Sequence, residues 1–151
     1  MNRQEVYLNG IIRRVTQHLQ RASPERIVNL EVEPDLMVSG DAMLIESLVL
    51  NLLSNAWKFT KTVEWPNIEI GRQSTDRGDA IFVRDNGVGF DMAYADKLFT
   101  PFQRMHKPSE FPGAGIGLAT VQRIVRRHGG EAWAHSEPNN GATFYFTLPT
   151  F

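Results

Sequence analysis

Apolar positions along the chain switch between helical and alternating spacing, and the switches mark its elements. Val6, Leu8, Ile11, Ile12, Val15 and Leu19 recur near helical spacing from Glu5 to about Arg21, and Ser23-Pro24 closes that first predicted helix. Ile27, Asn29 and Glu31 then alternate with Val28, Leu30 and Val32. Pro34-Asp35 turns the chain before Leu36-Met37-Val38, which predicts two short strands in a hairpin. Asp41 is placed to cap a helix running to about Phe59 on Leu44, Leu48, Leu52 and Phe59, with Ala56 as the small residue of the stripe. Asn67 to Gln73 and Ala80 to Arg84 read as an antiparallel pair of strands joined by Ser74-Thr75-Asp76-Arg77-Gly78-Asp79. From Asp85 to Gly117 the sequence is dense in Gly, Pro, charge and aromatics. A mobile loop region with one short helix near Ala93 to Leu98 is expected there. Helical spacing resumes at Ile116, Ala119, Ile124 and Val125, and Gly129-Gly130 stops it after His128. Ala132 to Ser136 and Ala142 to Leu148 close the chain as strands around the turn Pro138-Asn139-Asn140-Gly141.

At 151 residues and 42% hydrophobic content the chain suffices for one domain with a real core. Lys and Arg number 16 against 17 Asp and Glu, so net charge gives no reason to expect a nucleic-acid or acidic-membrane partner, although Arg123, Arg126, Arg127 and His128 form a local basic cluster. The absence of cysteine excludes disulfides and thiolate metal sites and fits a reducing compartment, with the cytoplasm as the default. No apolar run approaches the roughly 18 residues that span a bilayer, so no direct membrane insertion by this chain is expected.

Three stretches carry candidate chemistry. Within the Asp41 to Phe59 helix, Asn51, Asn55 and Lys58 stand at i, i+4 and i+7 and share one side. Asparagine is a poor residue for a helix interior because its amide competes for backbone hydrogen bonds. An amide oxygen suits Mg²⁺, and a lysine one turn on can meet a phosphate as a point charge. Taken alone, the helix reads equally as a partly solvated face with two indifferent asparagines. Asp85-Asn86-Gly87-Val88-Gly89-Phe90-Asp91 follows a predicted strand. A carboxylate at a strand end can accept from an exocyclic amine such as that of adenine, while glycines let a flat ring approach the main chain; a plain turn with two glycines explains the stretch as well. Gly113-Ala114-Gly115-Ile116-Gly117 runs into a helix and offers N–H groups and a positive dipole end to phosphate. It follows no strand and is not followed by Gly-Lys-Ser/Thr, which disfavours both a Rossmann site and a Walker A loop.

In order and at these distances, the stretches resemble the motifs of the GHKL ATPase superfamily and, within it, the sensor histidine kinases. Asn51-Leu52-Leu53-Ser54-Asn55-Ala56-Trp57-Lys58-Phe59-Thr60 resembles the N box and Asp85-Asn86-Gly87-Val88-Gly89 the G1 box. Leu98-Phe99-Thr100-Pro101-Phe102-Gln103-Arg104 resembles the F box, Gly113-Ala114-Gly115-Ile116-Gly117-Leu118-Ala119 the G2 box, and Gly141-Ala142-Thr143-Phe144 the last glycine box. The F box, His128-Gly129-Gly130 and Thr143-Phe144-Tyr145-Phe146 are most similar to phytochrome-like sensor kinases. The resemblance implies a two-layer α/β sandwich of the Bergerat type, a mixed sheet packed against helices, with a mobile ATP lid at about residues 91–112 in a single domain of residues 1–151. It implies Asn55 as the Mg²⁺ ligand, Asn51 in support, and Lys58 on phosphate. Asp85 would bind the adenine amine with Thr143 assisting through water, and Gly87 and Gly89 would shape the adenine wall. Gly113, Gly115 and Gly117, leading into Leu118, would wrap the triphosphate. Phe99 and Phe102 would anchor the lid, with Arg104, His106 and Lys107 as phosphate or partner contacts.

The implied activity is transfer of the γ-phosphoryl group of Mg·ATP to a histidine on a dimerisation domain, and onward to a response regulator receiver domain. The chain departs from the pattern at one point. The family's phosphoacceptor histidine precedes an acidic residue in an upstream helical segment, and none of His18, His106, His128 and His135 has that context. His18 and His135 read as ordinary surface or strand residues, and His128 as a cation-capable group near a helix C-terminus. Trp57, Trp65 and Trp133 read as core or rim residues, with Trp57 placed to lie close to a nucleotide. Two alternatives are a nucleotide-gated interaction module without productive transfer and a GHKL-type ATPase. The hydrolases of that superfamily resemble one another in a glutamate four residues before the metal-binding asparagine. Here that position is Asn51, and Glu46 lies about 180° around the helix from Asn55.

Overall fold

The computed structural model describes residues 1–89 and 114–149. The chain opens with strand β1 (Gln4–Tyr7), and helix α1 (Leu8–Ala22) follows without a linker. Val6 therefore belongs to a strand, and the helix starts three residues later than its periodicity suggested. Tyr7 offers no side-chain cap. The Leu8 N–H is satisfied by the Leu36 carbonyl at 2.8 Å instead, so a tertiary contact sets the boundary. α1 buries Leu8, Ile11, Ile12 and Val15, one face at 3.6-residue spacing.

Strands β2 (Asn29–Val32) and β3 (Met37–Gly40) form where expected but not as a hairpin. β2 pairs in parallel with β4 (Asn67–Thr75), Leu30 opposite Ile68, whereas β3 pairs antiparallel with β1, Val38 opposite Val6. The interval 33–36, with Asp35 at φ +58, carries the chain from one sheet to the other. Leu30 and Val32 thereby join the main core beside Ile68 and Ile70.

Helix α2 (Ala42–Phe59) begins where Asp41 predicts: its Oδ1 accepts from Met43 N at 3.0 Å and Leu44 N at 3.1 Å. β4 and β5 (Gly78–Asp85) pair antiparallel in full register from Ile68 opposite Asp85 to Thr75 opposite Gly78, with a turn tighter than the six residues expected. Helix α3 (Ala114–Arg127) starts two residues before Ile116, so Gly115 and Gly117 stand inside its first turns rather than ahead of it. Its end is fixed by Gly129 at φ +80 and a bond from Gly130 N to Val125 O at 3.0 Å. β6 (Ala132–Ser136) and β7 (Ala142–Phe146) complete a mixed five-stranded sheet in the order β2-β4-β5-β7-β6.

Side chains alternate across that sheet. Ile68, Ile70, Ile81, Val83, Ala134, Phe144 and Phe146 face one layer of helices and form a single core with Leu48, Leu52 and Leu53 of α2 and Leu118, Val121 and Val125 of α3. Each such Leu, Ile or Val contributes roughly 1.5–3 kcal/mol by leaving water. The opposite face carries Arg84 paired with Glu69 at 3.0 Å and Trp133 stacked on Tyr145 at 5.3 Å. This is the α/β sandwich that the motifs implied. No described helix is long and apolar enough to cross a membrane.

His128 does not form a cation at the end of α3. It is fully buried, its Nδ1 lies 2.8 Å from the Ile124 carbonyl, and its Nε2 accepts from Asp41 N–H at 3.1 Å. A carbonyl can only accept and an amide N–H only donate, so the ring is a neutral bridge between the end of α3 and the start of α2. It leaves the exposed basic cluster to Arg123, Arg126 and Arg127.

Candidate functional site

The last turn of α2 and the end of β5 meet at one place. Asp85 is the last residue of β5 and points toward the helices, in the row that runs through Ala142 and Ser136 on the neighbouring strands. It is 4% exposed; Gly87 N donates to its Oδ1 at 2.8 Å. Burial pushes its carboxyl up to about 6, and the amides of Gly87 and Ala142 offset only part of that rise. A buried carboxylate this poorly compensated is suited to accept from a donor that arrives with a ligand.

The loop after Asp85 is held on two sides. Val88 N donates to the Phe59 carbonyl of α2 at 3.1 Å, while Gly141 N donates to Gly87 O at 3.0 Å and Asn139 N to Val88 O at 2.6 Å. A Cβ at Gly87 would run into the Phe59 carbonyl, and one at Gly89, already at φ +66, into the Glu137 carbonyl. The protein's own backbone packing thus demands these glycines.

Asn55 stands one helical turn before Phe59. It is 3% exposed, and its Nδ2 has no hydrogen-bond partner among the described residues. An unsatisfied buried amide is costly. A half-turn about its last bond presents Oδ1 at the same point, which fits a cation ligand. Among the described residues there is no group of three His, Cys, Asp or Glu that could hold a metal. Asn51 is half-buried and its Nδ2 donates back to Ser47 O at 2.8 Å; Lys58 is exposed beside Trp57, which is buried. The three residues share a helix side at different depths. Trp57 Nε1 likewise has no partner among the described residues, whereas Trp65 is 79% exposed and Trp133 lies on the far sheet face.

Thr143 is not brought to Asp85. It pairs with Arg84, one register position away, so its side chain projects from the opposite sheet face and its Oγ1 accepts from Arg84 Nε at 3.4 Å. Ala142 occupies the position beside Asp85. Ser136, which the sequence reading passed over, lies on the Asp85 side, where its buried hydroxyl donates to the Gly141 carbonyl and braces the turn that seats Gly89. Its alternation with the exposed His135 was the available signal. Leu118 is buried in the core at the start of α3. Phe99, Phe102, Arg104, His106, Lys107 and Gly113, with the short helix expected at Ala93 to Leu98 and the lid at 91–112, lie outside the described residues.

Comparison with known proteins gives a concordant picture. Residues 40–151 match the family described as "Histidine kinase-, DNA gyrase B-, and HSP90-like ATPase". Over 132 residues the chain is 37% identical to Cyanobacterial phytochrome A of Nostoc sp. (strain PCC 7120), which covers 87% of this chain and 17% of that protein. It is 39% identical over 113 residues to the methanogenesis regulatory histidine kinase FilI of Methanothrix harundinacea, covering 75% of this chain and 12% of that one. The catalytic domain of histidine kinase ThkA superposes with a TM-score of 0.78 at 26% identity, covering 99% of this chain and 98% of that domain. The chain thus spans less than a fifth of the length of these two curated relatives.

Proposed function

Because the chain belongs to the histidine kinase-, DNA gyrase B- and HSP90-like ATPase family, we propose that it binds Mg·ATP and donates the γ-phosphoryl group to a histidine on a helical dimerisation domain, from which a response regulator receiver domain takes it. The observation that carries this reading is the buried carboxyl of Asp85, raised to about 6 by burial at the end of β5. The 6-amino group of adenine supplies the missing donor, whereas guanine would present a carbonyl to the same oxygen. Asn55, with Asn51 and Lys58 on the same helix, faces the phosphates, and the first turns of α3 bring N–H groups to them. Mg²⁺, when bound, neutralises phosphate charge. The chain's own part is to hold the nucleotide so that an incoming imidazole nitrogen meets the γ-phosphorus in line.

Hydrolysis is the weaker reading. Glu46 lies on the outer side of α2 in an ion pair with Arg14 at 3.0 Å, turned away from Asn55. Titration calorimetry with ATP and GTP, each with and without Mg²⁺, tests the proposal. ATP is expected to bind with Mg²⁺ enhancement and GTP at least tenfold more weakly, since one hydrogen bond to a charged acceptor contributes about 1.5–3 kcal/mol. No binding of ATP at millimolar concentration would end it.

A further inference from the structure

Arg26 lies between α1 and β2, in a stretch that carries none of the nucleotide motifs. Its backbone is fixed: Arg26 N donates to Ser23 O at 3.1 Å, and the Gln20 side-chain amide donates to Arg26 O at 2.7 Å. From there the guanidinium reaches the last turn of α2. One terminal nitrogen donates to the Trp57 carbonyl and the other to Thr60 Oγ1 at 3.0 Å, with the guanidinium carbon 5.9 Å from the centre of the Trp57 ring. Thr60 Oγ1 in turn donates to Ala56 O at 2.8 Å. A forked cation at a helix C-terminus satisfies carbonyls that have no partner inside the helix and matches the negative end of its dipole.

Trp57 and Thr60 bracket Lys58 and Phe59. The Phe59 carbonyl receives Val88 N–H at 3.1 Å, Gly87 lies against the same carbonyl, and Gly87 N–H reaches the Asp85 carboxylate at 2.8 Å. Each link is one residue or one hydrogen bond long.

We propose that Arg26 is a positioning residue for the nucleotide site: its two-pronged hold on the last turn of α2 fixes the Phe59 carbonyl, on which the Gly87-Val88 loop and therefore the Asp85 carboxylate are seated. The inference rests on the reading of Asp85 as the adenine acceptor. It favours arginine, because the rigid planar fork holds both acceptors in one fixed geometry, whereas the compact, strongly hydrated lysine ammonium on its flexible stem holds them less rigidly.

The test compares the unaltered chain with Arg26→Gln and Arg26→Lys, at a temperature where circular dichroism shows each to be folded. Calorimetry with ATP is read beside hydrogen exchange at Val88. The Kd for ATP is expected to rise about tenfold in Arg26→Gln and about threefold in Arg26→Lys. Val88 N–H should exchange faster while the β4–β5 amides keep their protection. A folded Arg26→Gln whose Kd stays within about twofold of the original overturns the proposal. So does weaker binding with Val88 exchange unchanged, which would mark a general structural effect that does not travel through the loop. If Arg26→Gln does not fold, the lysine variant decides by the same two readouts. Failure of the unaltered chain to bind ATP, or undiminished binding by Asp85→Asn, overturns the site reading itself and is distinct from both.

Discussion

In the proposed adenine site, Asp85 links charge state to both stability and binding. Its carboxyl titrates at about 6 in the fold against an ordinary 3.8, so the nucleotide-free fold takes up a proton more readily than the unfolded chain. The contribution of this group to stability is complete below about pH 4 and is lost as pH rises through about 6, a loss of about 3 kcal/mol. Amine recognition needs the anion and so improves over the upper part of that range. Adenosine has no phosphate to titrate; its affinity is expected to rise about tenfold between pH 5 and pH 7.5, and the dependence to vanish in Asp85→Asn. Calorimetry at a series of pH values checks both. Gly141 tests the neighbouring backbone: at φ +81 a Cβ would run into the Asp85 carbonyl, whereas at Gly78, φ +99, it would meet open space. Gly141→Ala should therefore lose roughly 2–4 kcal/mol in urea unfolding and Gly78→Ala only about 1–2, since strain acts at both positions and overpacking at one. Equal losses would mean that backbone conformation alone requires the glycine.

Between elements, the ends of helices do most of the joining. His128 ties the C-terminus of α3 to the N-cap amide of α2, and Arg3 Nη2 reaches the His128 carbonyl at 3.0 Å, adding the N-terminal segment to the same knot. His128→Ala opens a cavity and leaves Asp41 N–H without its acceptor, so roughly 2–4 kcal/mol of stability should disappear. Nucleotide affinity of the folded fraction should stay within about twofold, because α2 is 18 residues long and Asn55 and Phe59 lie near its other end. A large affinity loss in a protein of unchanged stability would contradict this. The helices and the β4–β5 and β6–β7 pairs were legible from periodicity and turn residues. β1, by contrast, hid within a helical spacing: Val6 fits the helix pattern as well as it fits a strand beside Val38, and only the partner 32 residues away decides.

For the molecule as a whole, the helix-backed sheet supplies a nucleotide site and the acceptor histidine is a separate matter. His128 is fully buried, and His18 and His135 are exposed on α1 and β6. With Mg·ATP alone, this chain is expected to bind nucleotide without labelling itself, and to transfer phosphate when a histidine-bearing helical domain is added. Radiolabelled ATP with an alkali-stable, acid-labile phosphate assay measures it. Stoichiometric labelling of the chain by itself would refute the expectation, and loss of that label in His106→Gln would identify the acceptor. The sequence by itself determined the helical faces, the hairpins with short turns and the order of the motifs, because those depend on residues near one another along the chain. Tertiary structure decided which strands pair, since backbone hydrogen bonds carry no residue identity. It also decided that Thr143 faces away from Asp85, because a shift of one register position reverses a side chain. Arg26 fell to the same level: nothing around residue 26 announces a partner at Trp57 and Thr60, and only the folded chain brings a forked cation to the end of α2.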